Sequence, residues 1–177
     1  MNNRALNKLM PSFNEPLEMI RACHDRIRIH CHSLERLGTY LEFIGCNESA
    51  QRASGDIIRF FDIAVRHHFA DEEQSLLPVL LEIGKKARVP LDKAMGALQS
   101  DHLELNQTWS GLRANLQKIS TGQFMHLDFL EISHLNKKYH DCLIQEETRI
   151  LPFAQHYLHR RQLDELRAAM IARRAIR

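Results

Sequence analysis

Along four stretches of this 177-residue chain, apolar residues recur at alternating steps of three and four. That spacing is the signature of a helix buried along a single stripe. Four such helices joined by short connections have one economical arrangement, an all-α, up-down-up-down four-helix bundle. The first stripe reads Ile20, His24, Ile27, Cys31, Leu34, Gly38, Leu41, in a helix opened by Asn14-Glu15-Pro16 and running toward Gly45. The second starts near Glu48, with Ile58, Phe61, Val65, His68, Glu72, Leu76 and Val79, and stops at Gly84-Lys85-Lys86. The third opens near Asp92, carries Met95, Leu98, His102, Leu105, Trp109, Leu112, Leu116 and Ile119, and ends at Ser120-Thr121-Gly122. The fourth, from about Leu127, carries Ile132, Leu135, Tyr139, Cys142, Glu146, Ile150 and Phe153, and Pro152 is expected to bend or end it. Gln162 to Ile176 reads as a short extra amphipathic helix at the C-terminus. With only seven glycines and five prolines, the composition suits a helical chain. Residues 1–15 read as an N-terminal segment and 16–177 as one bundle domain.

The two halves repeat one another. His24 on one helix is followed by a helix with His68, Glu72-Glu73 and Leu77-Pro78; His102 is followed by a helix with Cys142, Glu146-Glu147 and Leu151-Pro152. A helix pair used twice gives approximate twofold symmetry, so its polar positions meet at one level of the core.

Those positions are chemically unusual. His24, His68, Glu72, His102 and Glu146 sit where a bundle needs apolar side chains. Four residues advance a helix by about 400°, so His68 and Glu72 lie one turn apart on one face. A lone buried histidine is more often hydrogen-bonded to a backbone carbonyl or a tyrosine than bound to metal. Two buried glutamates among three histidines differ, because an uncompensated buried carboxylate costs several kcal/mol. Imidazole with carboxylate suits iron, manganese or zinc.

The same residues resemble the hemerythrin-like, HHE cation-binding family. The stretch 66–73, Arg-His-His-Phe-Ala-Asp-Glu-Glu closing at Leu77-Pro78, is similar to that family's His-His-x-x-x-Glu-Glu element. MIRACHDRIR, Met19 to Arg28, looks like its first ligand helix, Ser100-Asp101-His102 like its third, and Tyr139 to Phe153 like its fourth. The resemblance implies a non-haem site of one or two iron ions, usually two bridged by the glutamates. It also implies roles in oxygen carriage or sensing, nitric-oxide or peroxide chemistry, or iron handling. The expected ligand set is His24, His68, Glu72, His102, Cys142 and Glu146.

Cys142 departs from the family, whose fourth helix carries histidine there. His140 is close in sequence but lies about 200° round the helix, so it should face away unless a slipped or π-bulged turn brings it in as the ligand. Three roles are open to an inward Cys142: a thiolate ligand, an inert buried thiol, or a redox group beside the metal. The two metal positions should therefore be unequal, with His24 and His68 holding one ion firmly and the other site completed by Cys142 and Asn106. Tyr139, one turn from Cys142, is either half-buried core or a hydroxyl donor to a bound small ligand. Trp109 reads as core and His67 as solvated.

Other function classes find little support. The net charge of +2 is spread along the chain, and Lys and Arg crowding between Arg160 and Arg177 suits a solvated helix end; no nucleic-acid partner is expected. The first twenty residues hold no apolar run, so neither signal peptide nor membrane partner is expected, and the four cysteines read as reduced thiols of a cytoplasmic protein. Three readings stay open: an iron-binding protein engaging oxygen, nitric oxide or iron for sensing, storage or stress response; a diiron enzyme consuming peroxide or nitric oxide; and a helical interaction module with a degenerate metal site.

Overall fold

The computed structural model describes residues 15–175, so the N-terminal segment expected over 1–15 lies, apart from Glu15, outside the described residues. Helix α1 spans Pro16–Phe43, with Pro16 in its opening turn, and Gly45 supplies the positive φ that turns the chain out of it. Helix α2 is continuous from Glu48 to Ala87, opened by Asn47, whose side chain accepts the N–H groups of Ser49 and Ala50. It contains two wider π-helical stretches, Phe60–Val65 and Glu72–Leu76. Helix α3 is Asp92–Ser120, and Gly122, again at positive φ, follows it. Helix α4 runs from Phe129 to Tyr157, capped by Asp128, with a third π-helical stretch at Glu146–Ile150. Helix α5 is Arg160–Ala175; Ile176, its expected last residue, is outside the described range. The architecture is all-α, as the stripes imply, and none of the described helices is long and apolar enough to cross a membrane.

The stripes are the core. Each residue named for α1 and α3 is buried, and so are those of α2 and α4 except the last. Those two exceptions, Val79 and Phe153, have a common cause. Each follows the π turn that begins at its glutamate pair, and the wider turn there shifts the core side of the helix by one residue. Leu77, Leu80 and Gly84 thus take the core side of α2 in place of Val79, and Leu151 and Ala154 replace Phe153 in α4.

The π turns also correct the expectation for Pro152, which neither ends nor breaks α4. The Leu151 N–H reaches back five residues to Glu146 O, and Leu77 does the same to Glu72 O. A proline placed directly after such a widened turn loses one bond without driving its ring into the turn before. Both Leu-Pro pairs occupy this position, so the repeat extends to backbone geometry. Gly84 is likewise not the stop of α2: it is buried, and a Cβ there would lie 3.1 Å from Leu91 Cδ1 and from Val89 O. Its role is close packing beneath the α2–α3 turn, and the helix leaves through Arg88 in the left-handed conformation.

Helix α5 is held differently from the other four. It buries only Leu166 and Met170, yet Arg173 and Arg174 both grip the carboxylate of Asp71, which is 1 % exposed. Arg173 also donates to Ser75 Oγ at 2.8 Å. The basic C-terminal run is therefore not simply a solvated helix end: two of its arginines clamp α5 onto α2, next to Glu72. Asp71→Ala is expected to cost about 1–3 kcal/mol, since charge-assisted bonds to a buried acceptor are lost while the half-buried arginines can return to water. Urea unfolding of the purified variant measures this, and an unchanged midpoint would contradict the clamp.

Candidate metal centre

Three helices bring one imidazole each to a common level: His24 from α1, His68 from α2 and His102 from α3, each at most 1 % exposed. Glu72 from α2 and Glu146 from α4 stand between them, 1 % and 0 % exposed. His24 Nε2 stands 2.8 Å from Glu146 Oε2, off the line of a hydrogen bond. His68 Nε2 is 3.7 Å from Glu72 Oε2 and 3.8 Å from Glu146 Oε2. His102 Nε2 is 3.5 Å from Glu72 Oε2 and 3.7 Å from Glu146 Oε1. Cys142, directed inward from α4, places its Sγ 3.2 Å from Glu146 Oε1.

These donors fall into two overlapping groups, His24 with His68, Glu72 and Glu146, and His102 with Cys142 and Glu146. Within each group the ligand-type atoms all lie within 4.8 Å of one another. The six side chains expected from the sequence are thus brought together. Asn106 is not: it is exposed, off the stripe of His102, and does not complete the second group. His140 is exposed as well; the π turn of α4 begins six residues further on and leaves it facing outward. Tyr139 is more deeply buried than expected, at 3 %, Trp109 is core with its indole N–H donated to Asp62, and His67 is partly buried, not fully solvated.

The second glutamate of each pair has a task of its own. Glu147 Oε1 accepts from His24 Nδ1 at 2.8 Å, and Arg28 donates to both its oxygens. Glu73 Oε1 accepts from His102 Nδ1, also at 2.8 Å. A carboxylate accepts here, so each ring donates its Nδ1–H outward and its Nε2 faces the interior of the bundle. Phe69 stacks on His102 with ring centroids 3.9 Å apart and fixes its plane. Spacing alone does not reveal these two glutamates, because they lie off the buried stripe; the doubled Glu-Glu in both halves is the available signal.

The inner ends of the rings, by contrast, have no partners. His24 Nε2, His68 Nε2, His102 Nε2, Glu72 Oε2 and Glu146 Oε2 are buried and make no hydrogen bond, and neither does His68 Nδ1. Buried polar atoms in native proteins are almost always paired, so five such atoms converging on one space point to something that pairs with all of them. Electrostatics agrees. Burial, and then the charge of Glu146, push Glu72 well above the usual carboxylate range. Burial also opposes charge on Glu146, but His102, His24 and His68 outweigh it and hold it well below that range. Without a cation, only one of the two facing carboxylates carries charge.

A profile of the hemerythrin HHE cation binding domain matches residues 15–154, most of the described chain. The chain belongs to this family. An uncharacterized protein of Haemophilus influenzae is also similar, 27 % identical over 169 residues that cover 94 % of both chains. The hemerythrin match ends before α5, so the Arg173 and Arg174 clamp lies beyond the matched region.

Burial lowers the His68 ring from 6.5 to about 3. A base depressed in the fold adds stability that is present above its unfolded value, about 6.5, and is lost as pH falls toward about 3. In metal-free protein, the His68 ring nitrogens are expected to stay neutral through a titration from pH 8 to pH 5. ¹⁵N NMR, assigned with a His68→Phe variant, reads this; protonation near pH 6.5 would contradict it.

Proposed function

We propose that this hemerythrin-family chain is a cytoplasmic non-haem iron protein that holds its first ion with His24, His68, Glu72 and Glu146 and engages a small diatomic ligand, oxygen or nitric oxide. The single observation that carries the reading is the set of five buried, unpartnered donor atoms facing one another. Two inner imidazole nitrogens and two carboxylates make a mixed nitrogen and oxygen set suited to iron, with manganese or zinc as competitors. Four free cysteines suit a reducing compartment. When bound, the ion would supply the positive charge that lets Glu72 and Glu146 ionise together, and a coordination position for the small ligand.

The protein's own residues set the conditions around that position. Glu147 and Glu73 hold the outer nitrogens of His24 and His102 respectively, and Arg28 fixes Glu147 in turn. A surface cleft of about 190 Å³ between α1 and α4, bordered by Arg28, His32 and His140, reaches in to Tyr139. Burial raises the Tyr139 phenol well above its ordinary value, so it stays protonated and able to donate one turn from Cys142. A retained donor beside a buried set of metal-type ligands supports ligand sensing or carriage ahead of iron storage.

A cation bound only by the native state must stabilise it. At a free concentration about a hundred times Kd this is worth about 2.7 kcal/mol, or about 5–10 °C in Tm for a chain of this size. Stripping the metal with a chelator from protein made without a histidine tag is expected to lower Tm by that amount, and iron to restore it; an unchanged Tm together with absence of bound metal would refute the reading. Glu147→Gln keeps the size of the side chain but weakens its grip on His24. It is expected to lower affinity for the first ion about 10–100-fold, read by competition with a chromophoric chelator, whereas affinity equal to wild type would remove Glu147 from the site.

A further inference from the structure

The two ends of the centre differ in their chemistry. One end offers His24 and His68; the other offers His102 and a sulfur, Cys142, with Glu146 common to both groups. Cys142 packs in the core and donates its S–H to Glu146 Oε1 at 3.2 Å, and that same oxygen is 3.7 Å from His102 Nε2. His102 Nε2 is itself buried and without a hydrogen-bond partner, while its other nitrogen is held at 2.8 Å by Glu73. An imidazole anchored behind and unpaired in front is a poised ligand, and what it faces is a carboxylate oxygen and a sulfur.

We propose that His102, Cys142 and Glu146 form a second, thiolate-bearing cation position that takes a borderline-soft divalent ion of the zinc class. This rests on the cation-binding reading of the centre as a whole and adds that its two positions select different metals. Sulfur, nitrogen and one oxygen are the donor types that zinc and cobalt(II) favour in four-coordinate sites, whereas the His24 and His68 end has no soft donor. Glu72 Oε2, 3.5 Å from His102 Nε2, is placed to supply a fourth donor. Binding is a ligand exchange: the Cys142 S–H bond breaks, a sulfur–metal bond forms, and the proton leaves to the buffer. Nothing is oxidised or reduced, and the charge of the ion is what makes the thiolate stable there.

Cobalt(II) is the probe, because thiolate coordination gives it a charge-transfer band in the near ultraviolet that imidazole and carboxylate do not. Metal-free wild type is expected to bind two cobalt ions per chain and to show that band. One equivalent of zinc should then remove the band and leave the visible absorption of the remaining cobalt. Cys142→Ser should bind one cobalt without the band. Cys142→His, which puts back a donor and reports on folding, should bind two, also without it, and Cys31→Ser should match wild type. Two cobalt ions with no band in wild type, or a band that survives Cys142→Ser, would overturn the sulfur position while leaving the first site standing. No cobalt on any of these proteins would overturn both.

Discussion

Three imidazoles and two carboxylates meet inside the bundle with their inner atoms unpaired, and much of the structure can be understood as support for that one costly arrangement. Unpaired buried polar groups cost on the order of 1–3 kcal/mol each, a sum comparable with the whole stability of a domain this size. Layers of Leu, Ile, Phe and Trp above and below the site offset that cost in the metal-free protein, together with a proton on Glu72. The hemerythrin family match makes a bound cation the natural partner for the whole set.

Much of this arrangement is written in the chain as phase. Steps of three and four place the buried stripes, and they place His24, His68, Glu72, His102, Cys142 and Glu146 at one level before any contact is known. The internal repeat adds that the level is shared between halves. Phase fails where the backbone changes its pitch. Val79 and Phe153 lose their core places because a π turn intervenes, and no residue type announces a π turn. For the two turns at the glutamate pairs the only trace is the Leu-Pro that follows, and by itself it reads as a helix breaker.

Off-stripe residues carry no phase signal either. Glu73, Glu147, Asp71, Arg28, Arg173 and Arg174 look like a solvated charged surface, and on a single helix they would be. Their roles exist only between helices: Glu147 of α4 reaches His24 of α1, Glu73 of α2 reaches His102 of α3, and Asp71 of α2 receives two arginines from α5. Such pairings depend on which helix is the neighbour and at what height. Asn106 stands outside the site for a simpler reason: four residues from His102 is one turn, but the stripe of α3 continues through Leu105 and Trp109 and turns Asn106 outward.

The central claim is that the facing donor atoms exist to hold a cation. Anomalous diffraction from crystals of tag-free protein, recorded on either side of the iron absorption edge, tests it most directly. The expected result is an iron peak enclosed by His24 Nε2, His68 Nε2, Glu72 and Glu146. Absence of any anomalous peak, with those side chains turned to hydrogen-bond one another, would contradict the account.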